Sequence, residues 1–134
     1  MASDATLPVQ AAIVAALKAD AGVGAVVGDR IYDRAPEGVA FPYVSIGAET
    51  GSPWEGSTLS GWEMVLQIDI WSRKPGAVEA RQAMAAVSAA LHRAEMTIAG
   101  NAFVLCNLES QRTMGDPDGV TTHGVQLYRI ITHS

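Results

Sequence analysis

The sequence predicts an α+β domain: an antiparallel β-sheet with two helices packed on one face, in the order α–β–β–α–β–β. Three observations predict it. Two Ala-rich segments carry apolar residues at helical spacing. Several segments carry the alternation or β-branched richness of strands, the clearest of them at 62–71. The strands come in two consecutive pairs, each preceded by a helix. At 134 residues the chain is expected to form one domain, 1–134. A chain of this size buries roughly two thirds of its unfolded surface and can hold a core without disulfides or a metal.

The first helix is placed at 7–21. Thr6 is its expected cap, and Pro8 sits in the first turn, where its missing N–H costs nothing. Val9, Ile13, Val14 and Leu17 form its apolar stripe, and Gly22 is its expected stop. Val23 to Gly28 is read as a further short turn of helix, and Asp29 to Tyr32 as a short extended piece. Ala35-Pro36-Glu37-Gly38 is a turn. A strand at 43–48 follows, with Val44, Ile46 and Ala48 alternating against Tyr43, Ser45 and Gly47. Residues 49–61, rich in Gly, Ser, Thr and Pro, read as a long loop. In the next strand Trp62, Met64, Leu66, Ile68 and Ile70 share one face, expected to meet the helices. Glu63, Val65, Gln67, Asp69 and Trp71 share the other. The second helix is placed at 76–93, with Met84, Val87 and Leu91 on its apolar side. Strands at 102–112 and 124–132 form an antiparallel hairpin around Asp116-Pro117-Asp118-Gly119.

Composition narrows the function. Net charge is −5 and the pI near 5.0, which disfavours sequence-independent nucleic-acid binding and a basic membrane-surface role. Charged residues make up only 17% of the chain, against about 25% on average, and neutral surface of this kind is usually covered by a partner. Cys106 is the single cysteine, so no intrachain disulfide forms. No apolar run approaches the ~18–20 residues of a membrane span. The start, MASDATLPVQ, lacks the charge and apolar stretch of a signal peptide, so the expected setting is the cytoplasm.

No catalytic or metal constellation emerges. His92 ends a helix; His123 and His133 lie about 30 Å apart along one straight strand and cannot share a metal. Asp116 and Asp118 start like a calcium loop, but Val120 occupies the third ligand position and no bidentate Glu follows. Cys106 reads as a buried, inert thiol. Gly22, Gly24 and Gly28 follow a helix rather than a strand, which excludes a phosphate-binding loop. What remains is surface. Trp54, in a Gly/Ser segment, either folds back on its own domain or anchors in a neighbouring chain. Segments 49–61 and 113–123 are either connections or arms that order on assembly.

Short motifs along nearly the whole chain resemble the siphophage tail-completion family, the tail terminators of head–tail gene clusters. They are Leu17-Lys18-Ala19-Asp20, Val26-Val27-Gly28-Asp29-Arg30-Ile31-Tyr32, Pro36, and Phe41-Pro42-Tyr43-Val44-Ser45-Ile46-Gly47. They continue with Ile68-Asp69-Ile70-Trp71-Ser72, Ala90-Leu91 and the late Asp116-Pro117-Asp118-Gly119. The resemblance implies a homo-hexameric ring that caps the tail tube and joins it to the head connector, with no cofactor. Its implied partners are the tail-tube protein and a head-side neck or stopper protein, with DNA passing as cargo and no membrane. Its implied place is the host cytoplasm during assembly and then the neck of a virion or gene-transfer-agent particle. The acidity suits a ring around passing DNA, because a cationic lumen would bind phosphate. Rival readings are a head–tail adaptor or stopper, which the paired strands disfavour, and a small enzyme whose site assembles only in space. The candidate contact residues are Trp54, Glu55, Thr58 and Leu59 in the first segment, and Met114, Asp116, Asp118 and Val120 in the second. A free sheet edge is a further candidate.

Overall fold

The computed structural model describes residues 3–134; the first two positions of the expected 1–134 domain lie outside the described residues. Helix α1 runs Thr6–Ala19 and buries Val9, Ile13 and Leu17, one residue per turn. Thr6 is not its cap. The Ncap position is Ala5, and Asp4 Oδ1 accepts the Thr6 N–H at 2.9 Å instead. Nor does Gly22 stop the helix. Asp20 adopts an extended conformation, ends α1, and accepts the Val23 N–H at 2.9 Å to cap α2, Ala21–Val27. One short carboxylate thus ends one helix and starts the next, and Gly22 falls in the first turn of α2. Gly28, at φ 62, closes α2.

β1 is the two-residue strand Ile31–Tyr32, β2 is Tyr43–Glu55 and β3 is Ser60–Ser72. α3 spans Val78–Leu91, inside the expected 76–93. β4 is Ala102–Gly115 and β5 is Thr122–His133, each longer than read from sequence. The sheet order is β1-β2-β3-β5-β4. All pairs are antiparallel except β1 with β2, which is parallel. The architecture is therefore the expected α+β sheet, with an added short strand and three helices rather than two.

Segment 49–61 is the main correction. It is not a loop: Glu49 to Glu55 pairs with Leu66 to Ser60, leaving only Gly56–Leu59 as the turn. Two tryptophans hold this polar hairpin, each lying over a glycine of the neighbouring strand. Trp62 covers Gly51, where an added Cβ would come within 2.8 Å of the indole ring. Trp54 lies against Gly61 and donates Nε1–H to the Thr132 carbonyl at 3.0 Å.

The core sits between α1, α2, α3 and one sheet face. Met64, Leu66, Ile68 and Ile70 are all 1% exposed or less, and Trp62 packs at the margin of the same cluster, as the period of two requires. α3 adds Ala80, Ala83, Met84, Val87 and Leu91. Its alanines let it lie close to the sheet, and Gly124 opens the room that Met84 fills. The amide of Gln126 enters this core. Gln126 Nε2 donates to the Met84 carbonyl at 3.0 Å and to Gln111 Oε1 at 2.9 Å, while its Oε1 accepts the Tyr128 hydroxyl at 3.0 Å. Every polar atom of the buried amide is thus occupied.

Cys106 is fully buried on β4, and burial pushes its thiol up to about 12. Its reaction with a thiol reagent at pH 8 should run at least about a hundredfold slower in the native than in the unfolded protein. Equal rates in buffer and in denaturant would refute the placement.

Candidate functional site

The eight candidate contact residues fall into two groups at opposite ends of the sheet. Gly61 pairs with His133 at one end of β3 and Ser72 pairs with Thr122 at the other. Eleven residue steps separate these ends, roughly 35 Å along the strand. Trp54, Glu55, Thr58 and Leu59 sit at the first end, and Met114, Asp116, Asp118 and Val120 at the second. No single patch contains both groups.

At the first end, Trp54 is half-buried and bound to its own chain through Thr132, the inward of its two expected roles. Glu55 closes β2 and is exposed, as is Thr58 in the turn. Leu59 is the uncovered apolar side chain here, 52% exposed. At the second end the turn is built by carboxylates. Asp118 Oδ1 accepts the Val120 and Thr121 N–H groups, both at 2.8 Å, and Oδ2 accepts the Thr121 hydroxyl at 2.6 Å. These bonds favour the charged form and hold the Asp118 carboxyl below its usual range. Asp116 accepts Gly119 N–H at its carbonyl, which closes the turn with Gly119 at φ 77. Arg73 Nε donates to the Thr121 hydroxyl at 3.2 Å, while its guanidinium lies 4.3 Å from the centre of the Phe41 ring. Val120 projects, 60% exposed, and Met114 is half-buried on β4 opposite His123.

Sequence reasoning missed a cluster on the uncovered sheet face near this second end. His123 Nε2 lies 2.6 Å from Asp69 Oδ1, which also accepts Gln67 Nε2–H at 2.9 Å. The imidazole stacks on Trp71 at 3.8 Å, and Trp71 Nε1–H is donated to Ser45 Oγ at 3.1 Å. Tyr43, Phe41 and Tyr32 continue the row of rings. Asp69 and Trp71 were visible as one face of a strand. That His123 stands directly opposite Trp71 depends on the β3–β5 register, which the sequence does not display. No group of three or more metal-ligating side chains occurs among the described residues. His92, at the end of α3, accepts the Leu108 N–H at 3.0 Å through Nδ1, and Arg93 N–H is donated to the Cys106 carbonyl at 2.8 Å. The end of α3 is thereby fastened to the outer edge of β4.

Known proteins share both the sequence pattern and the fold. Residues 11–133 match the family described as Tail completion protein gp17. The chain is 31% identical over 85 residues to the tail completion protein gp17 of Bacillus phage SPP1, a match spanning 63% of each protein. The fold superimposes with a TM-score of 0.91 on a chain of the virion of a native gene transfer agent particle, at 26% identity. That match covers 99% of this chain and 100% of the other. The structure of bacteriophage SPP1 gp17 shares the fold at a TM-score of 0.64 and 23% identity, over 94% of this chain and 88% of that one. The chain is therefore of the tail-completion class. It belongs to the Tail completion protein gp17 family.

Proposed function

We propose that this chain completes the tail of a phage or phage-derived gene-transfer-agent particle as a terminator. Six copies close into a ring that caps the tail tube. One face of the ring meets the tail-tube protein and the other the head-side neck protein, and DNA passes through without sequence readout. The observation that carries the reading is the near-complete superposition on a subunit of a gene-transfer-agent virion. The separation of the two hairpin ends supports it, since a ring with two different neighbours needs contacts at two poles. Net charge of −5 supports unhindered passage of a polyanion.

Electron microscopy of assembled particles and of the purified chain tests the reading. Sixfold rings at the neck are the expected result; a lone subunit there overturns it. Leu59 offers a sharper probe than Trp54, because its side chain is exposed and lies in a four-residue turn. Leu59→Glu should change stability by no more than about 0.5 kcal/mol, as exposed substitutions do. The same substitution should reduce the yield of head-joined tails in complementation. Normal yield would remove Leu59 from the contact surface.

A further inference from the structure

The sheet has two open edges, and each is interrupted by contacts from its own chain. On β2, β1 covers Val44 and Ser45, and the chain from Glu49 to Glu55 has no outer partner among the described residues. On β4, His92 and Arg93 occupy the Leu108 N–H and the Cys106 carbonyl. The stretch from Glu109 to Gly115 has no outer partner among the described residues.

The direction of the free groups follows from the ladder. Asp116 N–H turns inward to the Thr121 carbonyl, so alternation turns the amides of Gly115, Thr113 and Gln111 outward. Gly56 N–H turns inward to the Leu59 carbonyl, so Glu55, Pro53 and Gly51 present their outward groups on β2. Pro53 falls on an outward position, where a missing N–H breaks no bond of its own sheet. The free stretch of β2 carries Glu49 and Glu55 and no cation, and that of β4 carries one charge of each sign, Glu109 and Arg112.

We propose that β2 of one copy adds to β4 of the next, extending the sheet from subunit to subunit; this rests on the ring reading above. Three features commit the occupant to a second copy in head-to-tail arrangement. First, β2 and β4 run in opposite directions within the sheet, since three antiparallel pairings separate them. The neighbour's β2 therefore meets β4 antiparallel, the favoured sense. Second, β2 against β2 would oppose Glu49 and Glu55 to their own copies and place Pro53 twice in one ladder. Third, the open halves lie at diagonal corners. The open half of β2 is level with the clamped half of β4, and the open half of β4 with the part of β2 covered by β1.

The diagonal sets the geometry of the contact. Joining the open halves slides each copy by about six residues, roughly 20 Å, across four long strands that are together about 19 Å wide. Such a slide inclines the strands by about 45°, at the upper end of the tilt that closed barrels require. The half-open edges thus specify a staggered, closing contact rather than a flat stack.

The test uses the full chain with Cys106 left in place, since it is buried. Ser52→Cys and Arg112→Cys, both at exposed positions on the open stretches, are made singly and together. Rings or particles assembled from each are treated with a short bismaleimide. The double variant should give a covalent ladder reaching six copies; each single variant should stay monomeric, and a mixture of the two should stop at dimers. Thr113→Pro removes an outward N–H and should weaken association by about tenfold per interface while leaving the melting temperature of the monomer within a few degrees. Intact rings with no cross-link in the double variant overturn the strand addition and leave the ring reading standing. A dimer from either single variant overturns it in favour of a twofold contact. Absence of rings in assembled particles overturns both.

Discussion

Leu66→Asp should leave the protein unfolded, or destabilise it by several kcal/mol. Leu66 is 1% exposed at the centre of β3, flanked by β2 and β5 and facing the helices. No Lys or Arg is buried among the described residues, so a carboxylate there has no buried cation to pair with. Against a total stability of about 5–15 kcal/mol for a domain, that cost is decisive. Circular dichroism checks it: a cooperative melt at the wild-type temperature would place Leu66 outside the core.

Gly61→Ala should cost about 3 kcal/mol or more, large for one methyl group. Its Cβ would meet the Thr132 carbonyl, the His133 backbone and the Trp54 ring at once. Two of these are backbone and cannot turn aside. Relief requires the β2–β3 hairpin to lift, which breaks the Trp54 bond to Thr132. Hydrogen exchange should show residues 49–61 opening well before the rest of the sheet. Unchanged protection there, with an unchanged melting temperature, would mean that the indole does not rest on Gly61.

The contrast between these two sites explains what the sequence displayed and what it hid. β3 and α3 were legible because each buries one face, and burial imposes a period. Met64 to Ile70 alternate by two, and Met84, Val87 and Leu91 recur at helical spacing. Glu49 to Pro53 face solvent throughout, so nothing in their composition had to alternate, and the strand read as a loop. Its cause is the contacts of Trp54 and Trp62 with glycines seven and eleven residues away, which only a fixed register brings together. The ends of the two hairpins stood out by composition. The His123–Asp69–Trp71 cluster and the choice of open edge did not, because both depend on which strand lies beside which.

The sheet order also fixes when the molecule can be finished. β5 is the last of the five strands to leave the ribosome, yet it takes its place between β3 and β4. A nascent chain that has not reached Thr122 holds a gap one strand wide in the middle of its sheet, with Leu66 and its neighbours paired on one side only. Local pairing can build the β2–β3 hairpin early, but closing the sheet waits for a contact across much of the chain. The orientation of β4, and with it the edge it offers, is set only at that step. Interrupted translation therefore yields chains that lack a finished pair of edges.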